Sequence, residues 1–384
     1  MEGETMIYFD NSATTKPYPE VIDSFITVST EYFGNPSSIH GIGARAENLL
    51  LQARKQIAEL LEVKSSEIYF TSGGTEGNNL AIKGAAHANS GKGKHIITTA
   101  IEHASVMDAC MYLQDTGYEI TYLPVNETGK INLDDLKKAI RKDTILVSAM
   151  HVNNETGAIQ PIEKMGEILS GFHNILFHVD HVQGVGKVPL DLKRTGVDLC
   201  TISGHKFHGL KGTGAIYIRE GVKVSPLFSG GSQESKIRSG TENVAGAVAL
   251  AKALRIAMEK LQTDIDKLRT IREIIWNGLQ HIEGVEVNSP NDGAPHIVNF
   301  SIPGVKSEVF VHSLEEEDLF VSTTSACSSK KKSPSKTVMA MFADLVRAES
   351  VIRISLSYQN EPEEAEMAIE LIRETINKLQ KVMR

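Results

Sequence analysis

The chain has 384 residues, too many for one ordinary core, so two domains are expected, and its 41% apolar residues are enough to build them. A net charge of -8 argues against a protein that coats nucleic acid, and three cysteines make no disulfide framework and fit a reducing cytosol. No apolar run reaches the ~20 residues of a membrane span, and the opening MEGETMIYFDNSATT, in which Met1 and Met6 serve equally well as a start, lacks the regions of a signal peptide. A cytoplasmic globular protein with no membrane contact and no direct nucleic-acid partner is expected.

In chain order, short apolar runs alternate with helical periodicity. Strands are expected at Ile68–Thr71, His95–Thr99, Glu119–Pro124, Thr144–Met150, Ile175–Asp180, Leu199–Ser203 and Gly214–Ile218. Helices are expected between them, over Gly43–Leu61, Thr75–Asn89 and Ala104–Gln114. Such alternation predicts an α/β fold, with a mostly parallel seven-stranded sheet covered on both faces. Residues Thr241 to Glu283 read as one long Ala- and Leu-rich helix of the kind that bridges domains. Beyond it, strands at Ile297–Ser301, Phe320–Ser322 and Val351–Leu356 alternate with helices near Glu308–Glu315, Ser335–Ala343 and Pro362–Val382. A large domain over residues 16–255 is expected beside a smaller α/β domain made of 1–15 and 256–384, with a mobile cysteine loop at about 322–335.

Open parallel sheets collect ligands at the carboxyl ends of their strands. Three polar clusters fall there. Thr71-Ser72-Gly73-Gly74-Thr75-Glu76-Gly77 enters a helix and suits an anion, because small residues admit close backbone N–H groups. It matches neither a Walker loop nor a dinucleotide fingerprint. Asp180 ends a buried strand and needs a cationic partner. Lys206, in Ser203-Gly204-His205-Lys206, ends the next. Together they suggest pyridoxal phosphate, which needs a phosphate cradle, a Schiff-base lysine and an acid opposite the pyridine nitrogen. A metal is not expected: His178 and His181 sit three apart, so a strand would point them to opposite faces, and His205 with His208 fares no better.

Cys327 lies in Ser322-Thr323-Thr324-Ser325-Ala326-Cys327-Ser328-Ser329-Lys330-Lys331-Lys332, an unusual home for a structural cysteine, and neighbouring cations favour the thiolate. Cys110 and Cys200, in helix and strand patterns, read as inert core residues.

At these residues the sequence resembles the NifS/IscS cysteine desulfurases of the class V aminotransferase family, fold-type I pyridoxal-phosphate enzymes. The resemblance runs from Tyr8-Phe9-Asp10-Asn11-Ser12-Ala13-Thr14-Thr15 to Arg353-Ile354-Ser355-Leu356, about eight motifs in order. It implies that Lys206 carries the cofactor, Asp180 pairs with the pyridine nitrogen and Gln183 binds the ring hydroxyl. It implies further that His103 stacks on the ring and moves protons, and that Gly74 and Thr75 hold the phosphate with Ser203 and His205. Thr241, in Arg238-Ser239-Gly240-Thr241-Glu242-Asn243, would reach the phosphate of a second subunit, making the enzyme a homodimer. Asn154 and Arg353 would grip the substrate carboxylate. Cys327 would take sulfur from L-cysteine as a persulfide and release alanine. The acceptor would be a ThiI-type tRNA-thiolation enzyme or an iron–sulfur scaffold. His181 departs from the family, where alanine is common; it is expected to pack near the cofactor ring or to support Asp180 by a hydrogen bond, with simple packing as the alternative. Leu210 stands where proline is common. Selenocysteine lyase or another reaction on the same fold is the nearest alternative, and a catalytically silent sulfur-transfer scaffold the alternative of another class.

Overall fold

The computed structural model describes residues 6–324 and 333–383. A short N-terminal strand, β1 (Ile7–Tyr8), is followed by the helices Pro19–Glu31 and Gly41–Leu60. Seven strands come next: β2 (Ile68–Thr71), β3 (His95–Thr99), β4 (Glu119–Leu123), β5 (Thr144–Met150), β6 (Leu176–Asp180), β7 (Leu199–Ser203) and β8 (Gly214–Ile218). They form one sheet in the order β2-β8-β7-β6-β5-β3-β4, parallel except that β8 runs against β2 and β7. The strands β3, β5, β7 and β8 are buried along their whole length, as expected of apolar runs covered on both faces.

Residues Thr241–Glu283 do not form the single long helix that their composition suggests. The chain makes helices Val244–Thr263 and Ile265–Gln280, broken at Asp264, whose backbone leaves helical space (φ -116°, ψ 2°). Thr263 and Asp264 are both weak helix formers, which lowers the cost of a break at this point. The remaining strands are β9 (Glu286–Val287), β10 (Ile297–Ser301), β11 (Leu319–Phe320) and β12 (Val351–Ser355). Antiparallel β9, β10 and β12 form a three-stranded sheet, and β1 pairs in parallel with β11.

Apolar side chains divide into clusters. One, from Tyr18 to Ala257, packs one face of the large sheet with the helices Gly41–Leu60 and Val244–Thr263; another, including Leu80, Ile96, Val106 and Ile216, packs the other face. A third, centred on Phe300, Phe310 and Ile354, takes in Ile7 and Phe9 from the far N-terminus. The N-terminal segment therefore crosses from the second block to the large sheet, and this crossing positions the site.

Candidate active site

Five parallel strands deliver polar groups to one edge. After β2, Gly73 takes φ +146°, a conformation glycine adopts freely, and turns the chain into the helix Gly74–Asn79, which runs through a π-helical turn at Leu80–Gly84. A Cβ on Gly74 would meet Val182 Cγ2 at 2.9 Å, so only glycine leaves this backbone open. After β3, His103 caps the helix Ala104–Asp115: its Nδ1 accepts from the Ser105 N–H at 3.1 Å. Burial lowers its pKa, partly offset by Asp180 and deepened by Lys206, so the ring is neutral with its proton on Nε2.

Asp180 ends β6, buried, and accepts from Asn78 Nδ2 at 2.7 Å and the Val182 N–H at 3.0 Å. Lys206 follows β7 on a short 3-10 turn. His208 two residues on is left-handed (φ 61°), a costly conformation for a non-glycine residue. It is held there by the Thr15 hydroxyl at its N–H (2.7 Å) and by Lys16 O at its ring (2.7 Å). That turn aims Lys206 Nζ at the carbonyls of Ser12 (2.5 Å) and Ala13 (2.9 Å). From below, the buried amine of Lys187 donates to Lys206 O at 2.8 Å, and burial pushes the Lys187 pKa down to about 7. Burial also pushes His205 down to about 4, with Lys206 and Lys211 adding to the shift.

One cavity gathers Lys206, Asp180, His103, Gly74, Thr75, Ser203, His205, Gln183, Asn154 and Arg353, ten of the residues singled out in the sequence. Thr241 is not among them; it lies exposed in an adjoining cavity with Ser72, Gly212 and Arg238, the last ion-paired to Glu76 at 3.0 Å. Cys327 and Lys330–Lys332 lie outside the described residues. His181 takes the simple-packing alternative. It neither lines the cavity nor bonds Asp180; its Nδ1 lies 2.9 Å from His151 Nδ1, with ring centroids 4.9 Å apart. The reason is local: the chain turns at Asp180, so the next side chain falls back beneath the sheet edge, towards the residue after β5.

Cys110 and Cys200 are buried free thiols whose pKa values burial raises, that of Cys110 to about 12. His178 is engaged by Ser148 Oγ at 2.8 Å, and among the described residues no group of three His, Cys, Asp or Glu side chains could hold a metal. No helix among them is long and apolar enough to cross a membrane.

The residues fit pyridoxal phosphate. An amine, a carboxylate and a side-chain-free cradle at a helix start share one cavity. Four polar atoms of its lining, Gln183 Oε1, Ser12 Oγ, Asn78 Oδ1 and Arg353 Nε, are buried without a protein partner, a cost that a polar ligand would relieve. Sequence reasoning overlooked Asn78, Lys187 and the carbonyls of Ser12 and Ala13. A helix-facing asparagine and main-chain acceptors carry no motif, although Ser12 and Ala13 lie inside Tyr8–Thr15.

Fold and cavity together define an α/β enzyme with its chemistry at the carboxyl edge of a mostly parallel sheet. The model for "Aminotransferase class-V" matches residues 7–367. A "NifS/IcsS protein homolog" from Lactobacillus delbrueckii subsp. bulgaricus is 48% identical over 94% of each chain. A "Cysteine desulfurase IscS" of Dictyoglomus turgidum is 44% identical over 98% of this chain and 96% of its own. A solved "NIFS-LIKE PROTEIN" superposes with TM-score 0.91 at 37% identity, covering 97% of this chain and all of that one. The chain belongs to the class V aminotransferase family, whose members depend on pyridoxal phosphate and share the fold-type I architecture.

Proposed function

We propose that this chain is a cysteine desulfurase that holds pyridoxal phosphate at Lys206 and takes the sulfur of L-cysteine onto Cys327. The observation that carries the reading is the convergence of Lys206, Asp180, His103 and the buried Arg353 on one cavity, two of whose lining residues, Gln183 and Arg353, carry buried polar atoms without protein partners. The high identity to a relative named cysteine desulfurase supports the same reaction.

When bound, the cofactor supplies an electron sink for the substrate α-carbon. The residues supply the rest. Backbone N–H groups at Gly74 and Thr75, with Ser203 and His205, bind the phosphate, completed by the partner subunit's Thr241 in a homodimer. Asp180, fixed by Asn78, faces the pyridine nitrogen, and Gln183 faces the ring hydroxyl. Neutral His103 would stack on the ring, and its Nε2–H would give a proton to the substrate and take it back, while Nδ1 stays engaged by the Ser105 N–H. Arg353 and Asn154 hold the substrate carboxylate, a task for which a buried guanidinium is suited by its paired donors. The Cys327 thiolate attacks the substrate sulfur and the Cβ–S bond breaks, its electron pair staying with Cβ, which takes up a proton to become the methyl group of alanine. The products are alanine and a Cys327 persulfide, so atoms balance without an oxidant. The persulfide sulfur passes to a ThiI-type tRNA-thiolation enzyme or an iron–sulfur scaffold in the cytoplasm. The large unit is residues 16–255, and 1–15 with 256–384 form the small one.

The test is alanine release from L-cysteine with a small reductant present. The wild type should release alanine and sulfide in equal amounts, and Cys327→Ser should bind cysteine but release neither. Undiminished release by Cys327→Ser, or none by the wild type, would overturn the assignment.

A further inference from the structure

Arg353 sits on β12, only 1% exposed, and a guanidinium offers five N–H donors. One from Nη1 goes to Asn154 O at 2.9 Å, and one from Nη2 goes to Asp10 Oδ1 at 3.0 Å. Nε is buried without a partner. Asp10 approaches from the N-terminal segment, where its backbone bridges to Ser355 of β12, and it is absent from the cavity wall that Arg353 lines. The two fixed acceptors therefore define the guanidinium plane and leave its remaining donors for the cavity.

We propose that Asp10 is a positioning residue for substrate recognition, holding Arg353 so that the remaining N–H groups of its Nη atoms meet the carboxylate of an α-amino acid. The inference rests on the carboxylate-gripping role given to Arg353 above. Asp10 also neutralises the buried guanidinium. The bound carboxylate is then held by directed hydrogen bonds rather than by a net positive field, which favours a planar carboxylate over other anions. A salt bridge with no more than a structural role would affect all substrates alike.

The test compares Asp10→Ala and Asp10→Asn in the full-length holoenzyme, with circular dichroism to confirm folding. Loss of one charge-assisted hydrogen bond in Asp10→Ala should raise KM for L-cysteine about tenfold and leave kcat within about twofold. L-cysteine methyl ester, which has no carboxylate, should change by less than about twofold. Asp10→Asn keeps an acceptor oxygen and should restore KM to near the wild-type value; it also serves if Asp10→Ala does not fold. Binding of L-alanine, followed by calorimetry, should weaken about tenfold in Asp10→Ala. That arm needs no desulfurase chemistry, so it tests Asp10 even if the wild type releases no alanine from cysteine. An equal effect on the ester, a loss confined to kcat, or unchanged L-alanine binding would overturn the inference.

Discussion

His181→Ala separates packing from catalysis at the position that follows Asp180 in the chain. His181 and His151 face each other with their Nδ1 atoms 2.9 Å apart, both fully enclosed. Burial lowers both pKa values, that of His151 to about 4, so both rings are neutral at pH 7. One Nδ1 must then donate and the other accept, which fixes opposite tautomers. Removing His181 strips His151 of that partner. An unsatisfied buried group costs about 1–3 kcal/mol, and a cavity adds to it, so a loss of about 2–4 kcal/mol is expected. The pH dependence carries a sign. An unfolded histidine titrates near 6.5, so from there down to the folded value the unfolded chain binds more protons. The pair's stabilisation is present above about pH 6.5 and is lost on acidification, at up to ~1.4 kcal/mol per pH unit for each histidine. The variant should start less stable at pH 7.5 and fall less steeply between pH 6.5 and 5 in urea denaturation. Because His181 lines no part of the cavity, kcat should stay within about tenfold, equivalent to ~1.4 kcal/mol in the barrier. A hundredfold loss of kcat with unchanged stability would make the imidazole a catalytic group, and an unaltered pH slope would refute the buried neutral pair.

Lys206→Ala should lose both the yellow absorption of the bound cofactor and its fixation by borohydride; a lysine-linked cofactor retained in the variant would move the site elsewhere. Light scattering at assay concentration should give twice the 41.9 kDa chain mass, and Thr241→Ala should weaken cofactor affinity about tenfold without changing that mass. A fully active monomer would remove Thr241 from the phosphate site.

The large sheet was legible because each strand is a short apolar run ended by polar or small residues. His95–Thr99, Thr144–Met150, Leu199–Ser203 and Gly214–Ile218 have the bounds the pattern suggests. Strand order was not legible, since it depends on crossovers whose packing leaves no periodic trace. Asp264 hid inside a helical composition because one weak former does not disturb an average over its many helix-forming neighbours, although its own backbone leaves helical space. The site was legible where side chains follow strand ends, as at Asp180 and Lys206. The place of His181 was left open because adjacency to Asp180 in sequence says nothing of direction once the strand has ended.

The least legible part is also the one that ties the site together. Segment 10–14 is anchored at one end to β12, where Ser355 N–H donates to Phe9 O at 2.6 Å and Ser355 O accepts from Asn11 N–H at 3.1 Å. At the other end Thr15 N–H donates to His205 O at 2.9 Å and Tyr18 N–H to His208 O at 3.1 Å, on the turn that carries Lys206. Between these anchors Asp10 holds Arg353, the Ser12 and Ala13 carbonyls hold Lys206, and Ser12 O accepts from Gln183 Nε2 at 3.1 Å. Phe9 is packed in the cluster around Phe300 and Phe310, and Tyr18 in the cluster on one face of the large sheet. The spacing between the arginine and the lysine is therefore set by a few residues of main chain stretched between two cores. Main-chain acceptors can be supplied by almost any sequence, which is why the Tyr8–Thr15 motif does not announce this use of Ser12 and Ala13, and any relative movement of the two cores is felt at both groups at once.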